Sequence, residues 1–322
     1  MHAPTPSSVA SYGQPQPTVL DPLSGALAPT AVVNAMTIDV EDYFQVSAFE
    51  AAVPRSTWDS RESRVCRNTE RLLELFEASN VKATFFVLGW VAERFPGLVR
   101  RIVREGHELA SHGYEHRLVY SQTPREFRDD LRRARVALEQ AGGCPVIGYR
   151  APSYSIVSRS LWALDVLVEE GYVYDSSIYP IRHDRYGIPD WQRDIHRIDR
   201  ACGSIWELPG STIRVGAANL PIGGGGYFRL LPYGWTRHGI ARLNAAGEPA
   251  IFYLHPWEID PEQPRIHAGR VSSFRHYWNL SETEPRLKRL LGQFRFGRVS
   301  DVLANQFRSP GLESRSPVAV SA

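Results

Sequence analysis

The chain has 322 residues, 43% of them hydrophobic, enough for one large core with an appendage. Its 37 basic and 35 acidic residues leave a net charge of +2, which argues against nucleic acid as a partner, since phosphate binding demands a marked basic excess. Three scattered cysteines, Cys66, Cys144 and Cys202, have no CxxC spacing and indicate neither a disulfide framework nor a thiolate zinc site; they read as free thiols in a reducing compartment.

Residues 1–33 are dominated by Pro, Ser, Ala and Gln and read as a disordered leader. No basic residue opens the chain and no uninterrupted apolar stretch follows, so no signal peptide is read, and the expected compartment is cytoplasmic or membrane-peripheral. No run of 18 apolar residues predicts a membrane span. From residue 34 the texture changes. The stretch AVVNAMTIDV is β-branched and apolar and stops at acids, which predicts a buried strand delivering carboxylates at its C-terminal end. A helix over 68–79, a strand in VKATFFVLG, a helix in PGLVRRIVREG and a short strand in HELASH follow. Thr123, Pro124 and Glu126 then supply three agreeing helix-start signals, ahead of a stripe of Phe127, Leu131, Ala134 and Leu138 that ends at Gly142-Gly143. Strand and helix keep alternating through PVIGYRAP, SRSLWALDVLVEEG, YVYDSSIY, SIWELPGSTI, WTRHGIARLNAAG and AIFYLHPWEI. Such alternation predicts βα units around a parallel sheet, and their number favours a closed or nearly closed barrel. The loop PIGGGGYF lacks the context of a phosphate-binding loop and reads as a flexible active-site lid. Residues 260–308 form a C-terminal extension with an aromatic stretch, SSFRHYWN, an amphipathic helix in EPRLKRLLGQF and a final strand in GRVSDVLA. Residues 309–322 read as a loose tail.

The polar residues at strand ends are the informative ones, because barrel chemistry sits at the C-terminal ends of strands. The first strand ends in Asp39, Glu41 and Asp42, and the third in SHGYEH with His112 and His116. Two histidines four apart on one helical turn point the same way and bind one metal; with a carboxylate they make an open zinc-type site. A zincin motif is disfavoured because Gly113 stands where HExxH needs Glu. One acid is needed as ligand and another as general base. Arg150 in GYRAPSYS is suited to clamp the base carboxylate. His255 in FYLHPWE is the candidate general acid, with Asp175 as the carboxylate that holds it.

In order, TIDVEDYF, SHGYEH, YRAPS, YDSS and YLHP resemble the motifs of the polysaccharide deacetylases with the NodB-type fold, carbohydrate esterase family four. The variant TIDVEDYF, with GGGYFR and HPWEID, is similar to the subfamily associated with exopolysaccharide loci of exosortase systems. This resemblance implies an α/β fold, a deformed (β/α)7 barrel over residues 34–259, with the C-terminal extension packed on it. It further implies metal-dependent removal of N-acetyl groups from an amino-sugar polymer. Asp39 becomes the base and Glu41 the ligand with His112 and His116, Asp42 remaining a competing ligand. A backbone N–H near Ser153 becomes the oxyanion donor, and Tyr154, Trp191, Tyr227, Phe228 and Trp257 become sugar-stacking candidates. Zinc is the default metal, while nickel, cobalt or iron suit similar donors. The expected partners are an N-acetylated glycan and an exopolysaccharide synthesis complex. Two rivals remain: a small-molecule amidase, as in allantoinase-like relatives, which predicts a closed pocket, and a non-catalytic glycan-binding module, which predicts weak or absent metal binding.

Overall fold

A computed structural model of the chain describes residue 1 and residues 32–308. All but the last two residues of the expected leader that follow Met1, and the whole of the expected tail, lie outside the described residues.

Strand β1 (Asn34–Val40) is buried over its whole length because it pairs on both sides, which is why it reads as a continuous apolar run rather than an alternating one. The chain continues through α1 (Val65–Ala78), β2 (Thr84–Val87), α2 (Gly89–Arg94), α3 (Pro96–Arg104), β3 (Glu108–Ser111), α4 (Pro124–Gly142), β4 (Gly148–Tyr149), α5 (Trp162–Glu169) and β5 (Tyr174–Asp175). Then come a hairpin of β6 (His196–Arg200) and β7 (Gly203–Glu207), a second hairpin of β8 (Thr212–Val215) and β9 (Ala218–Pro221), α6 (Gly225–Leu230), α7 (Tyr233–Ala245) and β10 (Ile251–Leu254). The C-terminal segment holds α8 (Arg270–Tyr277), α9 (Leu280–Leu291), β11 (Phe296–Gly297) and α10 (Val299–Arg308).

Seven strands run parallel in the order β10-β1-β2-β3-β4-β5-β7, with β6 antiparallel at the end and β11 beside β1. Between β7 and β10 the sheet gives way to the segment 208–224, which carries the separate β8–β9 hairpin. Single hydrogen bonds cross it: Gly210 N–H to Ile178 O at 3.0 Å, Ile222 N–H to Ser211 O at 3.0 Å and Tyr253 N–H to Gly223 O at 2.7 Å. This is the deformed (β/α)7 arrangement. Among the described residues no helix is long and apolar enough to cross a membrane.

Two expectations change. Only Gly297 of GRVSDVLA is strand, as the end of the two-residue β11, before the stretch becomes α10. Its apolar residues Val299, Val302 and Leu303 fall at helical spacing, and Asp301 Oδ2 accepts the Arg298 N–H at 3.1 Å to start the helix. Those three side chains pack with Ala35, Phe86 and Ala110, so α10 seals the end of the sheet opposite the strand-end acids. The glycine run is not a free lid either. Gly224, at φ 118°, lies against β10 so closely that an added Cβ would sit 2.0 Å from Tyr253 O. Only glycine permits that approach.

Helix α4 begins as its sequence predicts. Thr123 Oγ1 accepts the Glu126 N–H at 3.3 Å, and the Glu126 carboxylate accepts the Thr123 N–H at 2.8 Å. Thr123→Ala removes half of this reciprocal cap and is expected to cost about 1 kcal/mol, lowering the thermal midpoint by ~2–4 °C in a scanning calorimeter.

Candidate metal and catalytic site

Strand β1 places Thr37 and Asp39 on the interior face, and Glu41 continues that alternation past the strand end. Asp39 Oδ1 accepts from Arg150 Nη1 at 2.7 Å, with both side chains buried. Arg150 leaves β4 and is saturated with partners: Nη1 also meets Thr37 Oγ1 at 2.7 Å, Nε meets Ser176 O at 3.1 Å, and Nη2 meets Ser176 Oγ at 2.9 Å. Its guanidinium carbon lies 4.2 Å from the Phe86 ring centroid. A planar fork held at every edge fixes the carboxylate it faces.

His112 follows β3 directly, and its Nδ1–H donates to Arg150 O at 2.8 Å, leaving the Nε2 lone pair for another use. His116 arrives by a route other than the expected helical turn. Residues 112–116 form a loop, with Gly113 at φ 75° and His116 itself at φ 54°. Asp130 on α4 pins this loop by accepting the Tyr114 N–H at 3.0 Å, and a Cβ on Gly113 would lie 2.9 Å from that carboxylate. Glu41, His112 and His116 thereby converge, offering ligand atoms within 4.8 Å of one another. His116 Nε2 lies 2.7 Å from Glu41 Oε2. Yet Glu41 Oε2 and His112 Nε2 are buried with no well-formed hydrogen bond among the described residues. Buried donor atoms converging this closely are what a cation completes. Burial pushes the His112 imidazole down to about 4, so it stands neutral, as a ligand must. Burial alone would raise the Glu41 carboxyl, but the neighbouring His116 and His255 imidazoles hold it well below the usual carboxylate range. These donors suit a divalent metal of the zinc type.

Asp42 is turned away. Its Oδ2 accepts from Ser63 Oγ at 2.6 Å and from the Arg64 and Val65 amides at 2.9 and 3.2 Å, and Oδ1 accepts the Tyr43 N–H at 3.0 Å. It therefore caps α1 from across the chain and is not grouped with the imidazoles. Burial raises its carboxyl to about 6.

His255, at the end of β10, turns Nε2 toward the acids, 3.6 Å from Glu41 Oε1 and 3.9 Å from Asp39 Oδ2. Its Nδ1 meets Glu258 Oε1 at 2.7 Å. Burial would lower this imidazole, but the Glu258 hydrogen bond and the charges of Glu41, Glu258 and Asp39 outweigh it and raise it to about 9. Asp175 does not hold His255. It bonds Ser177 Oγ and sits in register with Glu207 on β7, and burial raises both carboxyls, Asp175 to about 6. Glu258 and its partner Arg229, 2.6 Å from Glu258 Oε2, were not singled out in the sequence. The signal was there: an acid three residues after the strand-end histidine and an arginine inside an apolar helix.

The stacking candidates divide. Phe228 is buried against Phe252 with centroids 5.0 Å apart, and Trp257 is buried with its Nε1–H on Glu41 Oε1 at 3.1 Å; neither offers a face to a sugar. Tyr154 is buried among Tyr179, Tyr186 and Tyr253. Tyr227 is half-buried, its hydroxyl 3.0 Å from that of Tyr186, and Trp191 packs half-buried near His196 beside β6. Ser153 and Tyr154 are consecutive non-glycine residues at φ 53°, and Ser153 Oγ is 2.8 Å from Ser47 Oγ. Two left-handed residues in a row cost about 1–3 kcal/mol each, and such strain collects at functional turns.

The chain matches the family model described as Polysaccharide deacetylase over residues 55–171 and Domain of unknown function (DUF3473) over residues 176–304. It is 35% identical over 98 residues to a peptidoglycan-N-acetylglucosamine deacetylase of Bacillus cereus; the matched stretch is 30% of this chain and spans about a third, 36%, of that relative. The fold is similar to a provisionally assigned polysaccharide deacetylase structure from Mycobacterium smegmatis, with a TM-score of 0.61 and 20% identity over 92% of this chain and 98% of that one. It is also similar to an allantoinase structure, with a TM-score of 0.56 and 15% identity over 87% and 92%. The chain therefore carries a polysaccharide deacetylase domain over residues 55–171, followed directly by a DUF3473 domain over residues 176–304.

Proposed function

We propose that the protein is a zinc-dependent hydrolase that removes N-acetyl groups from an amino-sugar-containing exopolysaccharide. The observation carrying this reading is the convergence of Glu41, His112 and His116 within 4.8 Å, with Asp39 and His255 beside them. The deacetylase family match and the named activity of the Bacillus cereus relative support the amide-bond chemistry. The exopolysaccharide context rests on the resemblance carried by TIDVEDYF, GGGYFR and HPWEID.

Glu41, His112 and His116 hold the cation in this scheme. A bound dication supplies Lewis acidity for the acetamide carbonyl and makes water more acidic. Asp39, fixed by Arg150, takes a proton from the attacking water. Oxygen adds to the carbonyl carbon, and a backbone N–H of the strained Ser153 turn is assigned to the developing oxyanion. His255 Nε2 gives a proton to the nitrogen as the C–N bond breaks, and acetate and a free amine leave. Beside His116, Arg55 donates to the carbonyls of Glu115 and His116 at 2.8 and 3.2 Å and borders a cavity of about 480 Å³ that Trp90, Tyr114 and Arg133 also line. The deacetylase match favours a sugar polymer over a small amide.

Two kinds of measurement check this assignment. Acetate release from N-acetylated oligosaccharides should stop on chelation and return with zinc, and Asp39→Asn should lower kcat by at least ~10²-fold while keeping the metal. In zinc titrations, Glu41→Gln should weaken binding more than ~100-fold, whereas Asp42→Ala should leave it within about threefold and instead cost ~1–2 kcal/mol of stability through the lost cap.

A further inference from the structure

We infer that Glu258 and Arg229 form the positioning couple for His255, and that the C-terminal segment around α8 is part of that device. The inference rests on the reading of His255 as the group that protonates the departing amine. Glu258 Oε1 accepts from both the His255 backbone N–H at 3.1 Å and Nδ1 at 2.7 Å. A carboxylate on Nδ1 fixes the ring so that Nε2 is the atom presented to Asp39 and Glu41. The other oxygen, Oε2, accepts from Arg229 Nε at 2.6 Å. Both partners are out of water, Glu258 at 0% and Arg229 at 2% exposure, so the couple is not a screened surface pair.

Arg229 is in turn held by the extension. Its Nη1 donates to the carbonyls of Arg275, His276 and Trp278 at 3.0, 2.8 and 2.9 Å. These are carbonyls at the C-terminal end of α8, where the helix leaves its partial negative charge. Asn279 Nδ2 donates to Arg229 O at 3.0 Å, and Arg286 from α9 donates to Phe228 O at 2.7 Å. One face of the ring is covered as well. Trp257 lies between His255, 5.1 Å away at 19°, and His276, 4.1 Å away at 14°. Edge and face of the imidazole are thus both set by residues 229–279. The strand-end acid Asp175 is occupied with Ser177 and Glu207. The extension therefore does more than cover the sheet: it carries the support for the proton donor.

The test compares two substrates on the zinc-loaded full chain: an N-acetyl chitooligosaccharide, whose amine must be protonated to leave, and 4-nitrophenyl acetate, whose phenolate leaves unaided. Glu258→Gln should lower amide kcat by about 10²-fold with KM little changed, and lose at least ~30-fold more amide than ester activity. Glu258→Asp should recover part of the loss. Because Glu258→Gln strands a buried guanidinium, the double variant Glu258→Gln/Arg229→Met provides a folded alternative and should show the same amide-selective defect. Equal losses on both substrates, or a folded, zinc-loaded variant with wild-type amide kcat, overturns the inference while leaving the deacetylase reading intact. Wild-type chain that cleaves neither substrate overturns that reading and this one with it.

Discussion

Buried charge is the constraint around which this fold is arranged. Asp39, Glu41, Arg150, Arg229 and Glu258 are each at most 2% exposed, and a lone ion in such surroundings costs several kcal/mol. Four of them are resolved within the protein, as Asp39–Arg150 and Glu258–Arg229. Among the described residues, Glu41 has imidazoles and the Trp257 N–H around it. The chain thus neutralises its supporting charges internally and leaves one carboxylate and two imidazoles facing a common point. Removing either arginine would leave its partner carboxylate uncompensated, so the pairs set the shape of the site as much as its chemistry.

The same constraint joins the two halves of the sequence. Asp39 and Glu41 precede the residues matched to the deacetylase family, His112, His116 and Arg150 lie within them, and His255, Glu258 and Arg229 lie in the DUF3473 match. Yet β10, which delivers His255, pairs directly with β1, which delivers the acids. The boundary between the two matches therefore falls inside one sheet. At the opposite end α10 fills the sheet interior beneath Ala35 and Phe86, so the C-terminal segment touches the catalytic core at its floor and at its rim.

Much of this was legible in the residues. Strand and helix alternation gave the parallel sheet, because buried parallel strands read as unbroken apolar runs. The strand-end polar groups pointed to one face, and Arg150 meets Asp39 as its planar fork suggests. What remained hidden depended on packing across long sequence distances. Asp42 and Glu41 are neighbours in sequence, but strand alternation continues only to Glu41, while Asp42 is captured by amides twenty residues on. Period-two counting from Asp39 would have separated them. Asp175 sits at the right strand end to hold His255, and only the β5–β7 register shows it committed to Glu207. Phe228 and Trp257 belong to the residue types that bind sugars, but aromatic type does not distinguish a core ring from an exposed one. GRVSDVLA is short enough for strand and helix periods to compete, and Asp301 at its start decides for helix.

X-ray absorption at the zinc edge on the zinc-loaded protein tests the central claim most directly. The account predicts two imidazole nitrogens and one carboxylate oxygen at about 2.0–2.2 Å, with the imidazole scattering reduced when either His112 or His116 is replaced. A zinc shell without imidazole, or one unchanged by both replacements, would contradict it.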